Sequence, residues 1–87
     1  MRKIANVVEV EGEGLEALLE QRVTLYCMNY IYTGRLVGVN STFVKLEDAE
    51  IVYETGAFAE KGWRTSEKFP NAWYVQTASI ESFGLLK

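Results

Sequence analysis

The 87-residue sequence predicts one mainly β domain, in which a short N-terminal helix precedes a strongly bent, five-stranded antiparallel sheet that forms a small barrel. From Arg22 onward, apolar and polar residues alternate with the period of two that is typical of half-buried strands. Gly34 and Gly38 lie inside one predicted strand, where glycine is unusual unless the sheet bends or another backbone comes close. Short connections between the strands favour a meander that closes into a small barrel.

The chain before the first strand predicts an extension followed by a short helix. Residues 4–10 alternate loosely and are interpreted as a short strand or an extended arm. Leu15, Leu18 and Leu19 follow at the i, i+3 and i+4 spacing that gives a helix one apolar side. The expected organisation of this single domain is an extension at 1–13, a helix at 14–21, a first strand motif at 22–54, a long variable loop or hairpin at 55–72 and a second strand motif at 73–87.

The third predicted strand is expected to be irregular. Its apolar residues change parity near Glu47 and Asp48, which predicts a bulge at this point. The three residues 40–42 before it, Asn-Ser-Thr, have the composition of a hairpin turn. The predicted strands are 22–27, 32–39, 43–54, 73–77 and 83–86, and the inward residues of the third are Val44, Leu46, Ala49, Ile51 and Tyr53.

The composition limits the function classes that fit this chain. Nine basic and twelve acidic residues give a net charge of −3, so the overall basic character common in nucleic-acid binders is absent. One cysteine and no histidine exclude an intrachain disulfide, histidine-based catalysis and the usual structural zinc sites. No apolar run approaches the ~20 residues of a membrane span, and the first residues lack the pattern of a signal peptide. We expect a cytoplasmic protein that is not an enzyme and has no cofactor, metal or membrane partner.

A longer motif begins at the glycine-containing strand. Gly34 and Leu36 have Gly-x-Leu spacing, Asn40 lies six residues after the glycine, and the Asp-Ala-Glu of residues 48–50 lies within the next predicted strand. This pattern, with the helix before it and the strands after it, resembles the first motif of the Sm-like (LSm/Hfq) family. The resemblance implies an SH3-like (Sm-like) barrel that pairs its edge strands with copies of itself to form a homo-oligomeric ring. It also implies that single-stranded RNA binds at the pore of the ring.

The resemblance covers residues 15–87 and identifies candidate RNA-binding residues. Asn40 stands where the family has aspartate, and Thr42 and Val44 stand where family members stack on a base and read its edge. Gln-Thr at residues 76–77 replaces the Arg-Gly pair of the second family motif. The candidate RNA-binding residues are Asn40, Ser41, Thr42, Gln76 and Thr77.

These departures from the family pattern leave two hypotheses. The ring binds single-stranded RNA weakly or with altered base preference, or it is a structural or protein-interaction ring that has lost RNA binding. Residues 58–73 interleave basic and aromatic side chains, which suits either single-stranded nucleic acid or packing within and between copies. Cys27 is interpreted as a small buried residue or a reactive thiol. The carboxylates Glu47, Asp48 and Glu50 are interpreted as solvated surface or as intersubunit partners of Arg22, Arg35 or Lys45.

Overall fold

The computed structural model describes residues 12–87 and shows a mainly β domain with one six-stranded antiparallel sheet. The strand or arm expected at residues 4–10 lies outside the described part of the chain. Among residues 12–87, no helix is long and apolar enough to cross a membrane. The strands are β1 (Arg22–Cys27), β2 (Ile31–Val39), β3 (Phe43–Glu54), β4 (Thr65–Lys68), β5 (Trp73–Gln76) and β6 (Ile80–Gly84), and two short 3-10 turns lie at Leu15–Leu18 and Thr77–Ser79.

Within residues 12–87, the sheet has the order β4–β3–β2–β1–β6, with β5 paired to β3 outside this path, and it is not closed. The long strand β3 pairs with β2 along one side and with two short strands along the other. Its first half pairs with β5, where Val44 lies opposite Val75, and its second half pairs with β4, where Glu50 lies opposite Lys68. β3 is therefore the strand that joins both halves of the sheet.

A bulge lies in the middle of β3, as the parity change near Glu47 and Asp48 predicts. Arg35 pairs with Glu47 and Thr33 pairs with Glu50, so that two residues of β3 stand opposite the single residue Gly34. Asp48 has a left-handed backbone conformation with φ of 49°. A side chain at Gly34 would place its Cβ 3.1 Å from the Ala49 Cα and 3.1 Å from the Glu47 carbonyl oxygen. The expected close backbone approach is therefore confirmed at this glycine.

The hydrophobic core contains side chains from β1, β2, β3 and β5. The inward orientation predicted for Val44, Leu46 and Ala49 is confirmed, because all three are buried. The prediction is wrong for Tyr53, which is 54% exposed, and Val52 is buried near this end of β3 instead. Tyr53 lies beyond the core, where its hydroxyl donates a hydrogen bond to Glu67, 3.3 Å away. The core residues are Val23, Leu25, Leu36, Val44, Leu46, Ala49 and Val75, and Ile51 is only half-buried.

The segment predicted as a helix at 14–21 forms only the 3-10 turn Leu15–Leu18. The backbone after the turn forms hydrogen bonds with β2 instead. The Glu20 N–H donates to the Leu36 carbonyl at 2.7 Å, and the Leu36 N–H donates to the Gln21 carbonyl at 2.9 Å. Glu20 also has a left-handed φ of 73°, which a helix cannot contain. These bonds end the helical segment before it completes a second turn.

The long segment 55–72, expected to be a loop or a hairpin, contains β4, which pairs antiparallel with β3 and was not among the five predicted strands. β4 has no buried residue, so it lacks the apolar alternation by which strands are recognised. It is held by backbone pairing with the second half of β3. In the part of the chain that the structure describes, the sheet therefore has six strands rather than the five predicted. The last strand also begins earlier than expected, at Ile80, directly after the second 3-10 turn.

Candidate nucleic-acid interface

The five candidate residues predicted from the sequence lie close together. The turn between β2 and β3 contacts the residues that follow β5, and Thr77 makes this connection. Its hydroxyl donates to the Ser41 carbonyl at 2.7 Å and lies 3.1 Å from the Thr42 carbonyl, to which its N–H also donates at 2.9 Å. Gln76 lies opposite Phe43 in the β3–β5 register. We call Asn40, Ser41, Thr42, Gln76 and Thr77 the turn cluster.

The side chain of Asn40 shapes the turn. Its Oδ1 accepts the N–H groups of Thr42 at 2.7 Å and Phe43 at 2.9 Å, as asparagine does in Asx turns. An aspartate carboxylate would accept the same two bonds, so asparagine keeps the turn and removes a negative charge. The group that Asn40 can offer to a ligand is therefore its NH2, a hydrogen-bond donor.

Val44 cannot contact a ligand at this site. Its side chain is completely buried in the core and lies opposite Val75. The residues on either side of it, Phe43 and Lys45, point to the opposite face because successive side chains of a strand alternate. The position at which the resemblance places a base-reading residue is thus part of the core in this chain.

An aromatic pair that the sequence reasoning missed adjoins the turn cluster. Phe43 and Tyr74 meet edge to face, with ring centroids 5.3 Å apart and planes at 87°. The Nζ of Lys45 lies 5.7 Å from the centroid of Tyr74. Phe43 is 38% exposed and Tyr74 is 55% exposed, and no ion pair within residues 12–87 includes Lys45. We call Phe43, Lys45, Tyr74 and Gln76 the aromatic patch.

The aromatic patch depends on a register that the sequence does not reveal. Phe43 and Lys45 alternate with buried residues of β3, and this alternation is visible in the sequence. Tyr74 joins them because it lies directly opposite Lys45 on β5. The alternation around Val75 was the available signal that Tyr74 faces away from the core, but the pairing of β5 with this half of β3 was not predictable from it.

Several basic and aromatic residues of segment 58–73 contact one another or other parts of the same chain. Phe69 stacks on Trp73, with ring centroids 3.9 Å apart, and on Tyr32 at 6.2 Å. Arg64 pairs with Glu60 at 3.8 Å and Lys68 pairs with Asp48 at 3.6 Å. This arrangement favours the packing interpretation of the segment over a separate nucleic-acid surface.

The carboxylates of the central sheet pair with arginines of the same chain. Arg22 binds Asp48 at 3.2 Å and Glu50 at 2.8 Å. Arg35 binds Glu20 at 2.8 Å and Glu47 at 2.6 Å. In the part of the chain that the structure describes, no group of three or more acidic or cysteine side chains could hold a metal ion. The arginines on this face are therefore already neutralised by carboxylates.

The environment of Cys27 disfavours its thiolate. Burial raises the pKa of the thiol above its ordinary value, and the Glu81 carboxylate adds to this increase. A hydrogen bond with Ser79 lowers the pKa, but this effect is smaller than that of burial. Because the thiolate is the reactive form, the raised pKa favours the interpretation of Cys27 as a packing residue.

The turn cluster and the aromatic patch share Gln76 and form one exposed surface at the end of β5. The surface offers hydrogen-bond donors, two aromatic rings and one cation, which are the groups that hold an unpaired nucleic-acid strand. In the comparisons with known proteins, no family model and no curated protein matches this chain.

Proposed function

We propose that this chain is an Sm-like, ring-forming binding module that contacts single-stranded RNA weakly or with altered base preference. The main observation behind the proposal is that Phe43 of β3 lies directly opposite Gln76 of β5. This pairing places the turn cluster next to the aromatic patch. Exposed aromatic rings bind bases through stacking, and a nearby lysine attracts the phosphates. Amide and hydroxyl groups of the turn supply hydrogen bonds to base edges.

The bent sheet is proposed to be a small SH3-like (Sm-like) barrel. The bulge at Asp48 in β3, the longest strand, supports this proposal. It allows β3 to pair with strands in both halves of the sheet. A bulge increases local twist and bending, as a strongly curved small sheet requires. The neighbouring position of β1 and β6, which are far apart in the chain, agrees with this architecture.

The edges of the sheet suggest how copies assemble. Within residues 12–87, β6 pairs only with β1, and β5 pairs only with β3, so each strand has one unpaired edge. Pairing β6 of one copy with β5 of the next is a head-to-tail contact, which closes into a ring when its rotation permits. Trp73 on β5 and Phe83 on β6 are exposed apolar side chains that this contact would cover.

The charge distribution explains why RNA binding is proposed to be weak. Arg22 and Arg35 are paired with carboxylates, and the family arginine is replaced by Gln76. Each phosphate that a protein neutralises contributes to affinity and to its salt dependence. With Lys45 as the cation of the aromatic patch, we expect low affinity and a shallow salt dependence. Stacking on Phe43 and Tyr74 then provides most of the binding energy.

Fluorescence-anisotropy titration with short U-rich and A-rich RNAs at low salt tests the proposal. We expect saturable binding to at least one of them. Tyr74→Ala should lower the affinity roughly 5-fold to 150-fold, because stacking contributes about 1 to 3 kcal/mol per base.

The matched control is Tyr53→Ala, because Tyr53 lies on the other half of β3 and is 54% exposed, whereas Tyr74 is 55% exposed. We expect this variant to bind RNA like the parent protein. Absence of saturable binding to either RNA, or equal losses in the two tyrosine variants, would contradict the proposal. The first result would leave the structural or protein-interaction ring as the better description.

A further inference from the structure

The ammonium group of Lys87 is held by three backbone carbonyls and an indole ring. Its Nζ donates to the carbonyls of Thr55 at 2.6 Å, Ala57 at 3.0 Å and Gly62 at 2.7 Å. It also lies 4.7 Å from the ring centroid of Trp63. A primary ammonium has three N–H donors, so each of them has a carbonyl acceptor. All four contacts belong to the segment between β3 and β4, residues 55–64, which we call the carbonyl loop.

The conformation of the carbonyl loop depends on two glycines. Gly56 and Gly62 have left-handed backbones with φ of 69° and 70°, which other residues adopt at a cost. A Cβ at Gly56 would also lie 2.8 Å from the Glu60 carboxylate. The Glu60 N–H donates to the Ala57 carbonyl at 3.0 Å, which fixes the turn between the glycines. The loop thus directs its carbonyls towards one point through its own backbone geometry.

The chemistry of the carbonyl loop selects a particular kind of cation. The acceptors are neutral carbonyls, and Glu60 is paired with Arg64 at 3.8 Å rather than with Lys87. A quaternary ammonium has no N–H to donate, and a guanidinium carries its donors in a plane. A compact ammonium can both present three diverging donors and approach the face of Trp63.

An apolar pocket adjoins this contact. Its volume is about 270 Å³, and Phe58 of the carbonyl loop and the leucines that precede Lys87 are among its lining residues. Thr24 and Tyr26 of β1 line it as well. Leu85 and Leu86 form one part of the pocket wall, and Phe58 forms another. The contact of Lys87 with the carbonyl loop therefore connects these two parts of the wall.

We propose that the carbonyl loop is a binding site for a primary ammonium group, which Lys87 of the same chain fills, and that withdrawal of Lys87 disconnects two parts of the wall of the adjoining pocket. The ligand class is a primary alkylammonium, such as the end of a lysine side chain. The site is separate from the proposed RNA surface and does not depend on it.

Chemical rescue of Lys87→Met tests this proposal. The substitution keeps an unbranched, flexible side chain that is one heavy atom shorter, and it removes the charge and the donors. In a Trp73→Phe background, Trp63 is the only tryptophan and reports on the loop. We expect longer-wavelength emission and stronger acrylamide quenching after Lys87→Met, and saturable reversal by propylammonium. Tetramethylammonium, which carries the same charge without donors, should have no effect. Lys61→Met is the matched control in the same loop and should leave the emission of Trp63 unchanged.

Trypsin cleavage after Lys61 gives an independent measurement in the chain with both tryptophans. Lys87→Met should accelerate this cleavage roughly tenfold, which the loss of one charge-assisted hydrogen bond is sufficient to cause. Unchanged emission and cleavage in Lys87→Met would overturn the proposal, and so would a changed emission that propylammonium does not reverse. Equal reversal by propylammonium and tetramethylammonium would overturn it as well, because it would show a general salt effect.

Discussion

Several side chains of the turn cluster stabilise the fold and leave only part of their hydrogen-bonding capacity for a ligand. The Oδ1 of Asn40 is occupied by two backbone N–H groups, and the hydroxyl of Thr77 is directed at the carbonyls of Ser41 and Thr42. The exposed rings of Phe43 and Tyr74 contact each other and Lys45, and their faces are not engaged in comparable hydrogen bonds. At the scale of single residues, the proposed affinity for RNA therefore comes mainly from stacking.

Cys27 provides a test at the residue scale. Because burial raises the pKa of its thiol, the thiolate fraction at a given pH is smaller than in an unperturbed cysteine. We expect alkylation by iodoacetamide at pH 8 to be slower in the native protein than in the urea-unfolded chain. The rate should continue to increase at pH values where that of the unfolded chain has levelled off. A native rate that levels off at a lower pH than the unfolded rate would contradict this environment.

The sequence pattern predicted the strands that have one face in the core, and it did not predict the strand that is exposed throughout. β1, β2 and the first half of β3 each have one face in the core, so their alternation predicts them. β4 is exposed throughout and is held by backbone bonds, so its side chains carry no such signal. The predicted helix has the apolar spacing of a helix, but the backbone bonds of Leu36 to Glu20 and Gln21 interrupt it. Those bonds join residues that are far apart in the sequence, so a local pattern does not reveal them.

In the functional regions too, local contacts were predictable from the sequence and long-range contacts were not. The turn cluster was predictable because residues 40–42 form a local turn and the family resemblance indicated the rest. Tyr74 and the carbonyl loop were not, because their contacts depend on the β3–β5 register and on the position of Lys87. Long-range contacts of this kind become visible only when the strands are paired.

Gly34→Ala tests the close backbone approach at the bulge. An added Cβ would lie 3.1 Å from backbone atoms of Ala49 and Glu47, which cannot move without shifting β3. We expect the free energy of unfolding to fall by about 1 to 3 kcal/mol, as overpacking in a core typically causes. Urea denaturation measures this change.

Gly38→Ala is the matched control in the same strand. Its added Cβ would meet only the Lys45 Cβ, at an ordinary 3.5 Å. We expect a smaller loss of stability than at Gly34, and equal losses in the two variants would contradict the role of Gly34 in the bulge.

At the scale of the whole molecule, charge and unpaired edges act together. The arginines of the central sheet are bound by carboxylates, so little positive charge remains to attract RNA over a distance. Assembly of a ring would offset this weakness, because each copy adds another Lys45 and another aromatic patch around the pore. Several weak contacts on one RNA strand then act as a multivalent site.

Native mass spectrometry with and without U-rich or A-rich RNA tests whether this chain forms a ring and whether the ring carries RNA. We expect one discrete oligomer, with a mass that is a whole-number multiple of the chain mass, and a second species in which that oligomer carries RNA. A monomer at every protein concentration would contradict the proposed ring. An oligomer that carries neither RNA would contradict the proposed ligand.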